Sequence, residues 1–381
     1  MAQEPFGDIP LFREIQRILA SSEGPVNLEI ARQVGNALAT QGTLDTSADD
    51  DTKKILEEGV HEAESLVAGL SRLPLDEPLQ MQTMGRGRWV ESTLSSWKWV
   101  LEHLARHFVT ELEGADPSMQ TATGPLQGAL TQAAPLLIGV QAGTLVGHLS
   151  RSALTRYDFP IPREDDGKVF FVVPNVDKVQ TEYSLDRRAL LRWLALHSAA
   201  RHLVLNSSPW IVRYLRGLIT EVVDATEIDF AGLEQRLVEL QSKGMEGIEA
   251  DADLQTDLPV VSTERHREAL DRLSAFVAVF EGYSDHLQES IAPQLIDDAS
   301  RVAEGIARSR SDNQDAESLL AKVLGVSFDR QLESAGRTFC AAVVQLKSLP
   351  LLNSVWQAPD NLPSLAEIKD PFAWMERVGE S

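Results

Sequence analysis

Cysteine is almost missing from this chain: Cys340 is the only one in 381 residues. That excludes an internal disulfide framework and any thiolate-rich zinc or iron–sulfur site. Positive charge is also scarce. Against 57 Asp and Glu stand 35 Lys and Arg, a formal net charge of −22, so the chain repels phosphate backbones and anionic lipid and gains nothing from counterion release. No nucleic-acid partner is expected. The GxSxG elbow, the GxxxxGK[ST] phosphate loop and a GxGxxG fingerprint after a strand are all lacking, which removes the common hydrolase, nucleotide and dinucleotide templates. Cys340 lies in an apolar helical pattern with nothing beside it to activate a thiolate.

Long apolar runs are missing too. The most membrane-like stretch, LTQAAPLLIGVQAGTLVGHL at 130–149, contains Thr131, Gln132, Pro135, Gln141 and His148, too polar for a span that needs about 20 predominantly apolar residues. No membrane span is expected. Gly139, Gly143 and Gly147 recur at four-residue spacing along it, the pattern that lets a second helix approach the backbone. The opening MAQEPFGDIPLFREIQ has acids and prolines where a secretory signal would place a basic end and an apolar run. With the single cysteine, this points to a reducing, cytoplasmic location.

What remains is the composition of an ordinary folded protein, 43% hydrophobic and 24% charged. The length prior of two or three domains is soft, and no interruption is long or biased enough to be an interdomain linker, so we expect one large helical domain over 1–381. Helical periodicity dominates. It predicts helices near 10–20, 27–40, 51–72, 89–113, 126–155, 184–205, 209–224, 229–242, 263–291, 297–309, 315–323 and 329–347. One region departs from it: in YDFPIPREDDGKVFFVVPN, extended segments flank a charged loop at Arg163 to Lys168, and Val169 to Val173 has strand composition. The expected fold is mainly α, with a small β-hairpin or paired extended segments near 157–174.

Two helices carry polar residues in apolar surroundings. The first, 184–205, with Ser184 as the expected N-cap and Asp186 in the first turn, is apolar nearly all round and therefore buried. It holds His197, Ser198, Arg201 and His202 in the string HSAARH. His197 and Arg201 share a face, whereas His197 and His202 point about 140° apart, a poor geometry for one ion. A zinc-hydrolase helix needs HExxH, two histidines on one face and a glutamate to activate water. The second helix, 263–291, places Glu281 and Asp285 one turn apart with His286 beside them, so the carboxylates can share a metal or pair with cations. Read by themselves, these residues also fit an ordinary buried histidine and an acidic helix edge. Trp97, Trp193 and Trp210 read as core aromatics. The basic MGRGRW at 84–89 reads as a turn with solvated charges, with an anion site the weaker reading.

Several strings, in order, resemble the bacterial zincin-like metallopeptidase family whose members are often described as hydrolases. They are GPVNLEIARQV (24–34), WVESTLSSW (89–97), GPLQGALTQAAPLLIGVQAGTLVGHL (124–149), LALHSAARHLVLNSSPWIVRYL (194–215), FEGYSDHL (280–287) and VWQAPDNLPSLAEIKDP (355–371). The resemblance implies a zincin-like helical fold in which the helix with the HExxH-type motif faces the helix carrying an EG motif. It assigns His197 to the first histidine, Ser198 to the general-base glutamate, Arg201 to the second histidine and Glu281 to the glutamate of the second helix. Only His197 and Glu281 keep ligand chemistry. The resemblance therefore implies a degenerate site in which Arg201 contacts Glu281 or Asp285 in place of a metal.

Two functions follow. One is a pseudoenzyme without cofactor, serving as a binding or scaffold protein for a protein or peptide partner. The other is an active zinc-dependent metallohydrolase, a peptidase, whose site is rearranged so that His202 or His286 joins His197 and Glu281 while Glu281 or Asp285 acts as base. Which of the two holds, and so whether the chain is an enzyme, stays open from the residues alone.

Overall fold

Polar residues set the helix starts. Asn27 accepts from the Ile30 amide at 3.0 Å and begins α1 (Leu28–Thr40). Asp49 accepts from the Thr52 amide at 2.7 Å and begins α2 (Asp50–Ser71). Each side chain satisfies one of the amides that a helix leaves unpaired at its N-terminus. The protein is described by a computed structural model covering residues 24–42, 45, 47–75, 77–114, 117–228, 260–261, 263–313 and 330–379. The helices expected at 10–20, 229–242 and 315–323 lie outside these residues.

After α2 come β1 (Met81–Met84), α3 (Arg86–Ser96), α4 (Lys98–Gly114) and α5 (Pro117–Leu149). The helix expected over 89–113 is thus two helices, broken at Trp97. It also starts earlier, at Arg86, because the Asp45 carboxylate accepts from the Gly87 and Arg88 amides at 2.9 and 3.3 Å. MGRGRW is therefore a helix start and not a turn, and the anion at its N-terminus is supplied by the chain itself. Arg86 donates to Asn175 Oδ1 at 2.7 Å.

The expected strand is present as β2 (Val169–Val172), buried along its whole length. Its ladder is parallel and pairs Met81 with Val169 through Met84 with Val172. The strand is therefore one of two paired extended segments and not half of a hairpin. Its partner comes from the loop before α3, and an isolated antiparallel bridge joins Thr155 to Phe171. A period-2 pattern identifies a strand but not its partner. β2 runs straight into α6 (Val173–Glu182), a helix that periodicity missed because no turn separates it from the strand.

The next helices are α7 (Arg187–Asn206) and α8 (Pro209–Asp224), followed by a short antiparallel pairing of β3 (Glu227–Ile228) with β4 (Val260–Val261). The cap of α7 is Asp186, which accepts from the Ala189 amide at 2.8 Å; Ser184 lies outside the helix at φ 51°. Then come α9 (Glu264–Leu295), α10 (Ala299–Asp312), α11 (Arg330–Leu346), α12 (Leu349–Asn353), α13 (Leu365–Lys369) and α14 (Pro371–Gly379). The mainly α fold is thus what the chain adopts. None of the described helices is long and apolar enough to cross a membrane.

Two close helix contacts frame the architecture. A Cβ on Gly139 would sit 2.5 Å from the Asn27 carbonyl oxygen, and one on Gly147 2.8 Å from Leu38 Cβ, so the glycines of α5 let α1 lie against its backbone. In the second, a Cβ on Gly282 of α9 would strike the backbone of Gly336 in α11. The glycine of the EG motif therefore serves helix packing. Between these contacts α7 packs against α2 and α9, with Leu190, Leu191, Ala195, Leu196, Ala200 and Val204 fully buried.

Candidate functional site

His197 and Arg201 lie one turn apart on α7, and Glu281, Asp285 and Gln288 follow one stripe of α9 at the i, i+4, i+7 spacing. Where the helices meet, the Arg201 guanidinium is 1% exposed. Its Nε donates to Glu281 Oε2 at 3.1 Å, and its Nη2 to Glu281 Oε2 at 2.5 Å and to Asp285 Oδ1 at 2.8 Å. Nη1 lies 3.5 Å from Gln288 Oε1. Asp285 Oδ2 accepts from Arg337 of α11 at 3.0 Å, and Arg337 also pairs with Glu289 at 3.4 Å. The result is a chain of alternating charges linking three helices, buried at Arg201 and exposed at Arg337 and Glu289.

At Arg201 and Asp285 burial works against the ion, and the partners outweigh it. Burial lowers the Arg201 pKa, but Glu281 and Asp285 hold it above the ordinary arginine range. Burial raises that of Asp285, but Arg201, Arg310 and Arg337 hold it below the ordinary carboxylate range. Both stay ionised, as charge-assisted hydrogen bonds require.

Three histidines, His197 and His202 of α7 and His286 of α9, are separated. His197 is 5% exposed; burial and then the neighbouring Arg201 push its pKa well below 6.5, so it is neutral. Its Nε2 has no hydrogen-bond partner among the described residues and lies 3.7 Å from Asp158 Oδ1. His202 Nδ1 is 2.6 Å from the Tyr157 hydroxyl, and burial, then Arg156, brings its pKa down to about 4. His286 is half-buried, its pKa lowered by burial. Ser198 is fully buried, and its Oγ lacks a partner among the described residues, so no base is in place to make it a nucleophile.

Four neighbours of this centre carry no local signal in the sequence: Gln288, Asp158, Arg310 and Arg337. Gln288 is the nearest to being readable, one helical turn beyond Asp285. Of the tryptophans, Trp97 is buried, while Trp193 and Trp210 pack half-buried against the core; Trp193 also lines a cleft beside His197. Cys340 is buried, and burial raises its pKa, as expected for an inert thiol.

A sequence model described as zincin-like metallopeptidase matches residues 26–375. The chain belongs to this family. In structure it is similar to a protein of Chloroflexus aurantiacus described as a candidate hydrolase with a novel fold, with a TM-score of 0.69 and 21% identity. The likeness covers 93% of this chain and 99% of the other and establishes a shared fold. No curated protein matches the chain.

A zincin-like fold implies zinc, and the residues here do not fit it. No group of three or more His, Cys, Asp or Glu is gathered for a metal among the described residues. Glu281 and Asp285 are instead bound to Arg201, and Asp158, 3.7 Å from His197 Nε2, accepts from Leu154 and Thr155. A dication about 4 Å from a guanidinium would be repelled by roughly 8 kcal/mol at an effective dielectric constant of about 20. Arginine cannot shed its proton to relieve this.

Proposed function

We propose that this zincin-like protein is a non-catalytic member of its family, built as one domain and acting as a binding or scaffold protein for a protein or peptide partner. The observation that carries this reading is Arg201, whose guanidinium is shared between Glu281 and Asp285. It brings permanent positive charge where a zinc centre needs a neutral imidazole, and Ser198 brings a hydroxyl where the chemistry needs a carboxylate. The competing reading, a rearranged zinc peptidase, requires His202 or His286 to turn toward His197 and Glu281. His202 is held by Tyr157, and His286 points about 140° around the helix from Glu281.

The test is elemental analysis of protein purified without an affinity tag, before and after exposure to zinc. We expect substoichiometric metal, unchanged in His197→Ala and Glu281→Ala. A double variant, Ser198→Glu with Arg201→His, restores the HExxH pattern and is expected to take up zinc. Stoichiometric zinc in the unaltered protein, lost in both alanine variants, would overturn the proposal in favour of the peptidase.

A further inference from the structure

Beside His197 a cleft of about 40 Å³ lies between α7, α10 and the loop that follows α5. A free volume of that size takes a few non-hydrogen atoms and no more. Its titratable lining residues are His197, Arg310 and Asp158; Trp193, Phe159, Leu154 and Ile306 supply apolar walls. Most other polar side chains around it are committed. Ser152 Oγ donates to the Leu149 carbonyl at 3.1 Å, Asn313 Nδ2 donates to the Ser309 carbonyl at 2.7 Å, and Ser309 interacts with the Tyr183 hydroxyl. Asp158 accepts from the Leu154 and Thr155 amides and from Thr155 Oγ1. Arg310 makes no hydrogen bond or ion pair among the described residues; its charge acts on His197 and Asp285 only at a distance.

The hydrogen on His197 can be placed. Arg201 has only donors, so the oxygen of the Gln288 amide faces it. The amide nitrogen then lies on the other side, where it donates to the Trp193 carbonyl at 3.4 Å. His197 Nε2 lies 3.7 Å from Asp158 Oδ1, and a carboxylate facing it favours the hydrogen of the neutral ring on that nitrogen. Around the cleft therefore stand an N–H donor and a guanidinium that make no hydrogen bond among the described residues, with the Asp158 carboxylate 3.7 Å from the first, above an apolar floor. A ligand that accepts from a buried, unpaired donor recovers the cost of leaving it unpaired.

We propose that this cleft binds a carboxylate on an apolar stem, with Arg310 and His197 Nε2–H holding the oxygens and Trp193, Phe159 and Ile306 holding the stem. The volume suits the headgroup and the first atoms behind it, with the rest of the ligand leaving through the mouth. Two sources have this chemistry, the C-terminal residue of a peptide and a free short-chain carboxylic acid. The proposal rests on the non-catalytic reading, since it gives that reading a ligand class. The negative charge of Asp158 limits affinity, so Asp158→Asn is expected to tighten binding.

Isothermal titration calorimetry on the full chain tests this with three probes: an acetylated dipeptide ending in leucine with a free C-terminus, its C-terminal amide, and 4-methylpentanoate. We expect the amide to bind at least tenfold more weakly than the free acid. Arg310→Gln and His197→Phe should each weaken the acid at least fivefold while circular dichroism shows the native helix content and an unfolding transition. If the dipeptide acid binds and 4-methylpentanoate does not, the source is a peptide terminus; the reverse assigns a free acid. Equal binding of acid and amide, indifference to Arg310→Gln, or no heat with any probe overturns the proposal. Mass spectrometry of the dipeptide after incubation with protein and zinc separates this from the reading it rests on. A cleaved peptide refutes the non-catalytic proposal even where the carboxylate contrast holds, and an intact peptide with no contrast refutes only the cleft.

Discussion

Where α5 crosses α1, the contact is made of absence: Gly139, Gly143 and Gly147 present no side chains, and the backbones close on one another. Where α7 crosses α9, the contact is made of charge, a cation shared between two carboxylates. The first contact depends on shape and dispersion, which are short-ranged and indifferent to pH. The second depends on compensation, because each ion is tolerable in the interior only while its partners remain. The two should therefore fail differently. Added volume breaks the glycine seam, and removal of one partner breaks the charged centre.

The largest expected effect is at Arg201. Arg201→Met leaves Glu281 and Asp285 with less compensation and should cost about 3–5 kcal/mol, as for other buried pairs that lose one member. Arg201→Met combined with Glu281→Gln should recover a good part of that, since Asp285 still has Arg337. Urea denaturation of the two variants measures the difference. A double variant no more stable than the single would mean that Arg201 contributes mainly by packing, and the contrast between the two crossings would lose its basis.

Next comes pH. The folded-state pKa of His202, about 4, is below the unfolded value near 6.5, so below pH 6.5 the unfolded chain binds a proton that the folded one does not. Stability is unaffected above about pH 6.5 and falls as pH drops toward 4, by roughly 3 kcal/mol at 1.36 kcal/mol per pH unit. His197 adds to the fall with the same sign. His202→Gln should flatten the profile across that window. An unchanged slope would mean that His202 does not titrate with the depressed value that burial gives it.

Gly143→Ala attacks the seam. The methyl would meet the Ala31 backbone, its Cα at 2.9 Å and its carbonyl carbon at 3.0 Å. Overpacking of this kind costs about 1–3 kcal/mol, against which the better helix propensity of alanine returns up to about 1. We expect a net loss of about 1–2 kcal/mol with no dependence on pH between 4 and 7. A loss that grew with acidity would show that the seam is coupled to the charged centre.

The same contrast explains how much could be read in advance. The glycine seam is legible because its signal is local: three glycines four apart on an apolar helix imply a neighbouring backbone, whichever helix supplies it. The mainly α fold is legible for the same reason, through the periodicity of α2, α8 and α9. The break at Trp97, the helix α6 and the parallel partner of β2 depend on contacts distant in sequence, which periodicity does not encode. At the centre, Arg201, Glu281 and Asp285 stand out because they are charged residues in apolar helices. Arg337, Arg310 and Asp158 come from three other segments, and nothing in their own neighbourhoods marks them as parts of one site.

Ser198→Ala is the smallest effect and sharpens the comparison most closely, because it changes one atom on the helix that carries Arg201. The hydroxyl is fully buried, and its oxygen has no partner among the described residues. An unsatisfied buried polar group costs about 1–3 kcal/mol; deleting the oxygen gives up little packing, and alanine is the better helix former. We expect the variant to be more stable by about 1 kcal/mol, in contrast to every other change at this crossing. Ser284→Ala on α9, whose Oγ is likewise buried without a partner, should behave in the same way. A destabilised Ser198→Ala would show that the hydroxyl contributes to the fold through a hydrogen bond. It would then belong with Arg201 among the groups whose charges and dipoles hold α7 to its neighbours.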